Sequence, residues 1–221
     1  ITPVNQAAIT AQQKVEEIIE GSKVFELSPD GKSYVNTKTG RVYARVTSII
    51  TADENGPDRF DENSGWILPS TNIGTTVDEF VRDFFADTLK DSYPNATKDQ
   101  WNAFKQQLEN LKLQMKANGF HIIPRDVIAA GTLEVLDSEN KVYNIDTAGT
   151  LDLLVYNDKG EFFVFDMKTV RKPNTIEEKK HKWSQQTSLY QKFLENTYGI
   201  KIKGRYIIPI QVSYPSPTIK K

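Results

Sequence analysis

Two neighbouring strand-like segments that carry charged side chains constrain the fold of this chain more than any other feature. Residues 148–156 and 161–169 are largely apolar, and the turn-forming sequence between them predicts a β-hairpin. Asp152 lies in the first segment, and Asp166 and Lys168 lie in the second. Because side chains alternate along a strand, Asp166 and Lys168 point to one face, and the hairpin brings Asp152 beside them.

This cluster of two carboxylates and one ammonium group is unusual for the middle of an apolar sheet. Burying it is costly unless a further charge balances it, and a divalent cation that prefers carboxylate oxygen is the usual balance. The alternative is a buried structural ion pair, but one lysine leaves one of the two carboxylates unmatched. The pattern therefore predicts a metal site at Asp152 and Asp166, beside Lys168.

The composition narrows the class of protein. With 221 residues the chain is most simply one domain, long enough to bury a sizeable core. Its net charge of −1 gives no general attraction to nucleic acid. The absence of cysteine excludes disulfides, thiolate zinc sites and iron–sulfur clusters within the chain, and it fits the cytoplasmic location that we expect. No apolar run approaches the roughly 20 residues that cross a bilayer, so no membrane partner is expected.

Positive charge is concentrated in one segment. Residues 168–182 contain six lysine and arginine residues against two glutamates, and a basic strip beside an acidic metal cluster is what a phosphodiester substrate requires. The alternative is a solvated lysine-rich loop and helix start. The candidates for nucleic-acid contact are Arg171, Lys172, Lys180, Lys182 and Trp183. Trp183 would stack on a base, and its alternative role is that of a core or rim side chain.

Hydrophobic periodicity and turn residues predict the remaining elements. Helices are expected at residues 5–20 (ended by Gly21), 46–50, 75–89, 97–118 and 176–198, and strands at 23–45, 127–136, 142–156, 161–169 and 205–214. Thr97 and Gln100 form a capping-box pattern, and residues 53–72 are expected to form a long loop. The mixture of hairpins and one helical crossover predicts the α/β class with a mixed sheet.

Three motifs in order resemble the PD-(D/E)XK nuclease superfamily, specifically its branch of RecB-like and AddB-like nuclease domains. They are the strand Gly149–Asp152, the strand Asp166–Lys168, and a following helix that carries Gln186 and Tyr190 four residues apart. The resemblance covers roughly residues 46–214. The absence of cysteine separates this chain from the iron–sulfur members of that branch.

The resemblance implies a restriction-endonuclease-like core with the element order α-β-β-β-α-β, in which helices flank a mixed central sheet. A single domain would span residues 1–221. Within it, residues 1–73 would form an accessory region of helices and hairpins, and residues 74–214 would form the nuclease core.

The resemblance also implies roles for individual residues. Asp152 and Asp166 would bind Mg²⁺ or Mn²⁺, with the backbone carbonyl of Met167 as a further ligand, and Lys168 would orient the attacking water or stabilise developing negative charge. Gln186 and Tyr190 share a helix face, from which Gln186 would bond the substrate or Lys168 and Tyr190 would stack on the substrate or bond a phosphate. The alternative is ordinary helix packing by Tyr190 with Gln186 at its rim.

Two further acidic residues are candidate metal ligands. Glu134, on the preceding strand, resembles an acidic position that completes the metal shell in relatives, and its alternative is an exposed strand glutamate. Asp78 stands where the family often has a metal-binding histidine. Aspartate oxygen can bind magnesium or manganese, so the site need not be lost, but a first-turn acid favoured by the helix dipole is the alternative.

The expected function is that of a metal-dependent deoxyribonuclease acting on single- or double-stranded DNA. A RecB-like exonuclease in DNA repair, recombination or mobile-element processing is the specific expectation, with a helicase or another domain as partner. The alternative is a catalytically inactive nucleic-acid-binding or scaffold module that keeps the fold. A hydrolase that prefers RNA is a third interpretation.

Overall fold

The strands of this protein are divided between two sheets that meet next to Asp152. A computed structural model describes residues 6–53, 67–124, 126–170 and 175–211. The helices are α1 Gln6–Ser22, α2 Val46–Asp53, α3 Ile67–Phe85, α4 Lys98–Ala117 and α5 Thr175–Tyr198. The strands are β1 Phe25–Leu27, β2 Ser33–Asn36, β3 Val42–Arg45, β4 Phe120–Ile122, β5 Val127–Leu136, β6 Val142–Leu151, β7 Leu153–Asn157, β8 Phe162–Val170 and β9 Ile202–Gln211.

Both sheets are mixed. The first has the order β1-β2-β3-β6-β5, in which only β3 and β6 are parallel. The second has the order β4-β7-β8-β9, in which only β8 and β9 are parallel. The predicted α/β class and the predicted hairpin between β7 and β8 are therefore confirmed.

The sheets are separated by a break in the strand that the sequence predicts over residues 142–156. The chain bends at Asp152, so that β6 ends at Leu151 and β7 begins at Leu153. The Asp152 carboxylate accepts the backbone N–H of Met167 at 2.6 Å, which is a position that a backbone carbonyl occupies in a regular ladder. Pairing of β7 with β8 ends at Leu153 and Phe165, so the rest of β8 faces open space on that side.

Two hydrophobic cores lie on opposite faces of the hairpin formed by β7 and β8. Leu154 and Val164 pack against α1 and α5, whereas Leu153, Val155 and Phe163 pack against α3 and α4. Because both faces are covered, these strands are continuously apolar rather than alternating. This explains why the charged residues of the hairpin stand out in the sequence.

Several helix ends differ from the prediction. Gly21 lies inside α1, where a side chain would collide with the Tyr198 hydroxyl, so this glycine permits close packing and does not end the helix. Helix α3 begins at Ile67, which places part of the predicted loop in a helix; residues 54–66 of that loop lie outside the described residues. The capping box of α4 is confirmed, because Thr97 and Gln100 each accept the other's backbone N–H.

Candidate active site

The two predicted metal-binding carboxylates face each other across the gap between the sheets. Asp152 occupies the bend after β6, and Asp166 lies on β8 beyond the last residue that pairs with β7. Asp166 is buried, and its Oδ2 atom has no hydrogen-bond donor within the described part of the chain. The Lys168 Nζ atom lies 3.0 Å from this oxygen, but its direction does not make a hydrogen bond. One ammonium group balances one of the two carboxylates, so a further negative charge remains for a bound cation to balance.

A chain of hydrogen bonds fixes the lysine of the site. Lys168 Nζ donates to Gln186 Oε1 at 2.9 Å, and Gln186 Nε2 donates to the Tyr190 hydroxyl at 2.9 Å. Gln186 and Tyr190 are buried, whereas the Lys168 side chain keeps 22 % of its surface exposed. The ammonium group is thus held from the helix side and remains accessible from the groove.

The Tyr190 ring packs directly against the backbone at Gly149. A Cβ atom at Gly149 would lie 2.5 Å from Cε1 of Tyr190, so the ring rests directly on the backbone of β6. The same contact explains why the first motif begins with glycine. The three motifs, far apart in sequence, therefore converge on one place in the structure.

Burial and mutual repulsion of the acids dominate the electrostatics. Burial raises the pKa of Asp152 well above its usual value, the charges of Asp166 and Asp78 raise it further, and the Met167 N–H and Lys168 oppose this only in part. Asp78 has an exposed side chain at the mouth of the groove, yet the loss of hydration there raises its pKa to about 6. The raised pKa values of Asp152 and Asp78 show that their negative charges are poorly compensated, and a bound cation would compensate them.

The ligands available to a metal can be counted for the part of the chain that the structure describes. Within residues 6–53, 67–124, 126–170 and 175–211, no three acidic, histidine or cysteine side chains approach closely enough to enclose an ion. Two carboxylates, Asp152 and Asp166, would need help from backbone oxygen or water. The N–H and C=O of a strand residue point to the same edge, so the Met167 carbonyl shares the edge on which its N–H meets Asp152.

The carboxylates lie in a groove of about 920 Å³. One wall is the three-stranded unit β1–β3, which we call the N-terminal ribbon, and the other is the C-terminal half of α3. The groove also contains Lys168, Gln186 and Tyr190. Asp78 belongs to the α3 wall, and its role as a ligand stays a prediction.

Glu134 does not belong to this site, and its prediction as a metal ligand is wrong. It is exposed on β5 and pairs with Asn144, whereas the end of β6 next to Asp152 pairs with Val127. Seven residues along the strand separate Glu134 from Val127, which corresponds to about 23 Å. The structure instead agrees with the alternative interpretation, in which Glu134 is an exposed strand glutamate.

The predicted nucleic-acid contacts have different outcomes. Arg171 and Lys172 lie outside the described residues. Lys180 is exposed and Lys182 is half-buried near the start of α5, and their contact with nucleic acid stays a prediction. Trp183 is buried, so it is a core side chain and its predicted stacking on a base is wrong.

Sequence reasoning missed the residues that the N-terminal ribbon contributes. Arg45 and Tyr34 line the groove, and the Tyr34 hydroxyl lies 2.8 Å from Thr150 Oγ1, next to the bend at Asp152. The alternation of Tyr43 and Arg45 on one strand face was visible in the sequence. The parallel pairing of β3 with a strand about 100 residues later was not.

Comparison with known proteins agrees with this arrangement. No helix in the described ranges has the length and apolar character that a membrane crossing requires. A search of curated proteins finds no significant match. The model of the PD-(D/E)XK nuclease superfamily matches residues 68–218, which include all three motifs, and the two mixed sheets flanked by helices are consistent with a restriction-endonuclease-like fold. This chain therefore belongs to the PD-(D/E)XK nuclease superfamily.

Proposed function

We propose that this protein is a nuclease that uses Mg²⁺ or Mn²⁺ to hydrolyse the phosphodiester bonds of DNA. The observation that carries the proposal is the buried Asp166 carboxylate, whose Oδ2 atom has no hydrogen-bond donor among the described residues. It lies beside the half-buried Asp152, and the Lys168 ammonium group, 3.0 Å from Asp166, balances one of these two charges. The candidate metal ligands near it are oxygen atoms, which suit magnesium or manganese better than softer metals.

In this mechanism each side chain has a separate task. Asp152, Asp166 and the Met167 carbonyl would hold the cation, which when bound supplies charge neutralisation and activation of water. The Lys168 ammonium group, held by Gln186, would stabilise the negative charge that develops on the phosphate. Gln186 keeps the ammonium directed towards the groove.

The test is DNA cleavage by the purified protein with Mg²⁺ or Mn²⁺. Asp166→Asn and Lys168→Ala are each expected to abolish cleavage. Glu134→Gln is the matched control, because this acid is exposed on β5 away from the groove, and it is expected to retain full activity. Cleavage by Lys168→Ala at the rate of the unaltered protein would contradict the mechanism.

We further propose exonuclease action of the RecB-like kind, in DNA repair, recombination or mobile-element processing, with a helicase or another domain as partner. The support is the glutamine–tyrosine pair on α5 that resembles that branch. An exonuclease degrades linear DNA and leaves covalently closed circles intact. Cleavage of both at equal rates would contradict this proposal, and parallel assays on RNA test the remaining choice of substrate.

A non-catalytic scaffold is the second candidate. It is favoured by the lack of three enclosing metal-ligand side chains within the described residues. Calorimetric titration with Mg²⁺ separates the two, since an enzyme binds the ion through its carboxylates and Asp166→Asn removes that heat. A scaffold gives the same trace for both proteins.

A further inference from the structure

The N-terminal ribbon presents one side-chain face to the groove. Leu27 pairs with Tyr34, and Tyr34 pairs with Tyr43, so these three side chains share a face. Phe25 and Arg45 lie two residues from members of this set and share the same face. Phe25, Leu27, Tyr34 and Arg45 all line the groove that contains the carboxylates.

Arg45 differs from the other arginines nearby in its partners. Its guanidinium donates one hydrogen bond, from Nη1 to the Gly31 carbonyl at 2.9 Å, and among the described residues it has no carboxylate partner. Arg82 of the opposite wall lies 3.2 Å from Asp126, and Arg41 of the ribbon binds Asp146 with two nitrogen atoms. A guanidinium has five N–H donors, so Arg45 keeps donors and an uncompensated charge for a ligand in the groove.

The register places Arg45 at a defined distance from the metal-binding acids. Arg45 lies beside Ala148 in the parallel pairing of β3 with β6, and Asp152 follows four residues later, which is about 13 Å along the strand. A neighbouring phosphate of the same strand can reach Arg45 while the scissile phosphate lies at Asp152 and Asp166.

The walls of the groove suit a single strand better than a duplex. Leu27 is 50 % exposed and Phe25 beside it is half-buried, so the ribbon wall offers apolar surface to the groove. Among the described residues, four cations and five carboxylates line the groove, so this part of it is not the broadly basic surface that a duplex backbone requires. Unstacked bases of a single strand offer apolar faces that pack on such side chains.

We propose that Arg45 binds a phosphate of single-stranded nucleic acid next to the scissile phosphate, and that Phe25 and Leu27 pack against the adjoining base. This subsite rests on the proposed function, because it assigns the substrate strand of that nuclease. It makes the ribbon a part of substrate recognition as well as a part of the sheet.

The experiment measures binding of a fluorescent single-stranded oligodeoxynucleotide by anisotropy, in Mg²⁺ and on a Lys168→Ala background that prevents cleavage. Arg45→Gln is expected to weaken binding about tenfold and to lower the slope of log affinity against log salt by about 0.7, the value for one phosphate contact on a single strand. Arg45→Lys, which keeps the charge, is expected to restore the slope. A blunt duplex of equal length is expected to bind at least tenfold more weakly.

Arg41→Gln is the matched control, because Arg41 lies on the same strand face but is bound to Asp146 and does not line the groove. It is expected to leave the salt slope unchanged, and thermal unfolding checks that both variants are folded. An unchanged slope in Arg45→Gln, or equal binding of the duplex, would overturn the subsite. Absence of cleavage by the unaltered protein with either metal would instead refute the nuclease activity, while the binding data would still decide about Arg45.

Discussion

Gln186 is the residue on which the position of the lysine depends, because it bonds both Lys168 and Tyr190. Gln186→Leu keeps the apolar contacts of α5 but removes the acceptor for the ammonium group. A hydrogen bond to a charged group contributes about 1.5–3 kcal/mol, so we expect kcat to fall roughly 10- to 100-fold with little change in KM. Steady-state cleavage kinetics measure both constants.

The neighbouring Gln185 provides the control for this prediction. It is half-buried, and the side chain that accepts from the Lys168 ammonium group is Gln186, so Gln185→Leu is expected to retain kcat. Equal losses in the two variants would show that the helix tolerates neither change, and the positioning role of Gln186 would be wrong.

Gly149 is expected to be intolerant of any side chain. Gly149→Ala places a methyl group 2.5 Å from the Tyr190 ring, and overpacking of this kind costs about 1–3 kcal/mol of unfolding free energy. Urea unfolding measures the loss. The double variant with Tyr190→Ala is expected to be more stable than the sum of the single changes, because removing the ring removes the collision. Strict additivity would contradict the explanation.

At the scale of residues, the convergence of the charged side chains was predictable from the sequence, but the burial and the strand partners of individual residues were not. The sequence indicated that Asp152, Asp166 and Lys168 converge, since strand alternation and one turn determine that geometry. Glu134 and Trp183 were assigned wrongly because their roles depend on strand register and on burial, which neighbouring residues do not reveal.

At the scale of elements, the ion pair of Arg41 with Asp146 joins the N-terminal ribbon to β6. The Arg41 guanidinium is the main cause that holds the pKa of Asp146 below 3.8, with the Thr132 hydroxyl as a smaller cause. A folded-state pKa below the unfolded value stabilises the fold above that unfolded pKa, and this stabilisation is lost as the pH falls towards the folded value.

Asp146→Asn is therefore expected to lower the melting temperature at pH 7 by a small amount, roughly 2 °C, because the Arg41 side chain of the pair is largely exposed. The difference from the unaltered protein should disappear as the pH falls below about 3.8. Melting curves from pH 3 to 7 test this, with Glu134→Gln as a surface acid that should show no such dependence. A difference that grows on acidification would have the wrong sign.

The types of the helices and strands were predictable from the sequence, but the residues at which they end or break were less so. Apolar runs and turn residues gave the strands β5 and β8 and the capping box gave the start of α4. The bend at Asp152 was missed because a side chain takes the place of a ladder acceptor there, and Gly21 was misread because its collision partner, Tyr198, is distant in sequence.

At the scale of the whole molecule, a metal bound at the candidate site is expected to stabilise the fold. Asp166 is buried and lies 3.0 Å from the Lys168 ammonium group, so Asp166→Asn removes this ion pair and is expected to be less stable than the unaltered protein without metal. At a Mg²⁺ concentration of 100 Kd, binding should stabilise the unaltered protein by about 2.7 kcal/mol and leave the variant unchanged. Thermal unfolding with and without Mg²⁺ measures both effects. A variant that Mg²⁺ stabilises as much as the unaltered protein would contradict the account.

The arrangement of the two sheets could not be predicted from the sequence. The parallel pairing of β3 with β6 brings together segments separated by about 100 residues, and no local pattern specifies that partner. The ribbon therefore looked like an accessory region, although it forms one wall of the groove.

The bend at Asp152 has a consequence for the opening through which a polymer would enter. With an apolar side chain at residue 152, the Met167 N–H would lose its acceptor. The backbone of β8 past Phe165 would then be free to pair with an extended β7, which would join the two sheets. Asp152→Asn still offers an oxygen to the Met167 N–H. It would therefore keep the two sheets apart while removing the negative charge of residue 152. The hydrogen bond from the Met167 N–H to residue 152 thus helps to keep the groove open. Loss of the Asp152 charge and closure of the groove can therefore be separated by the choice of substitution.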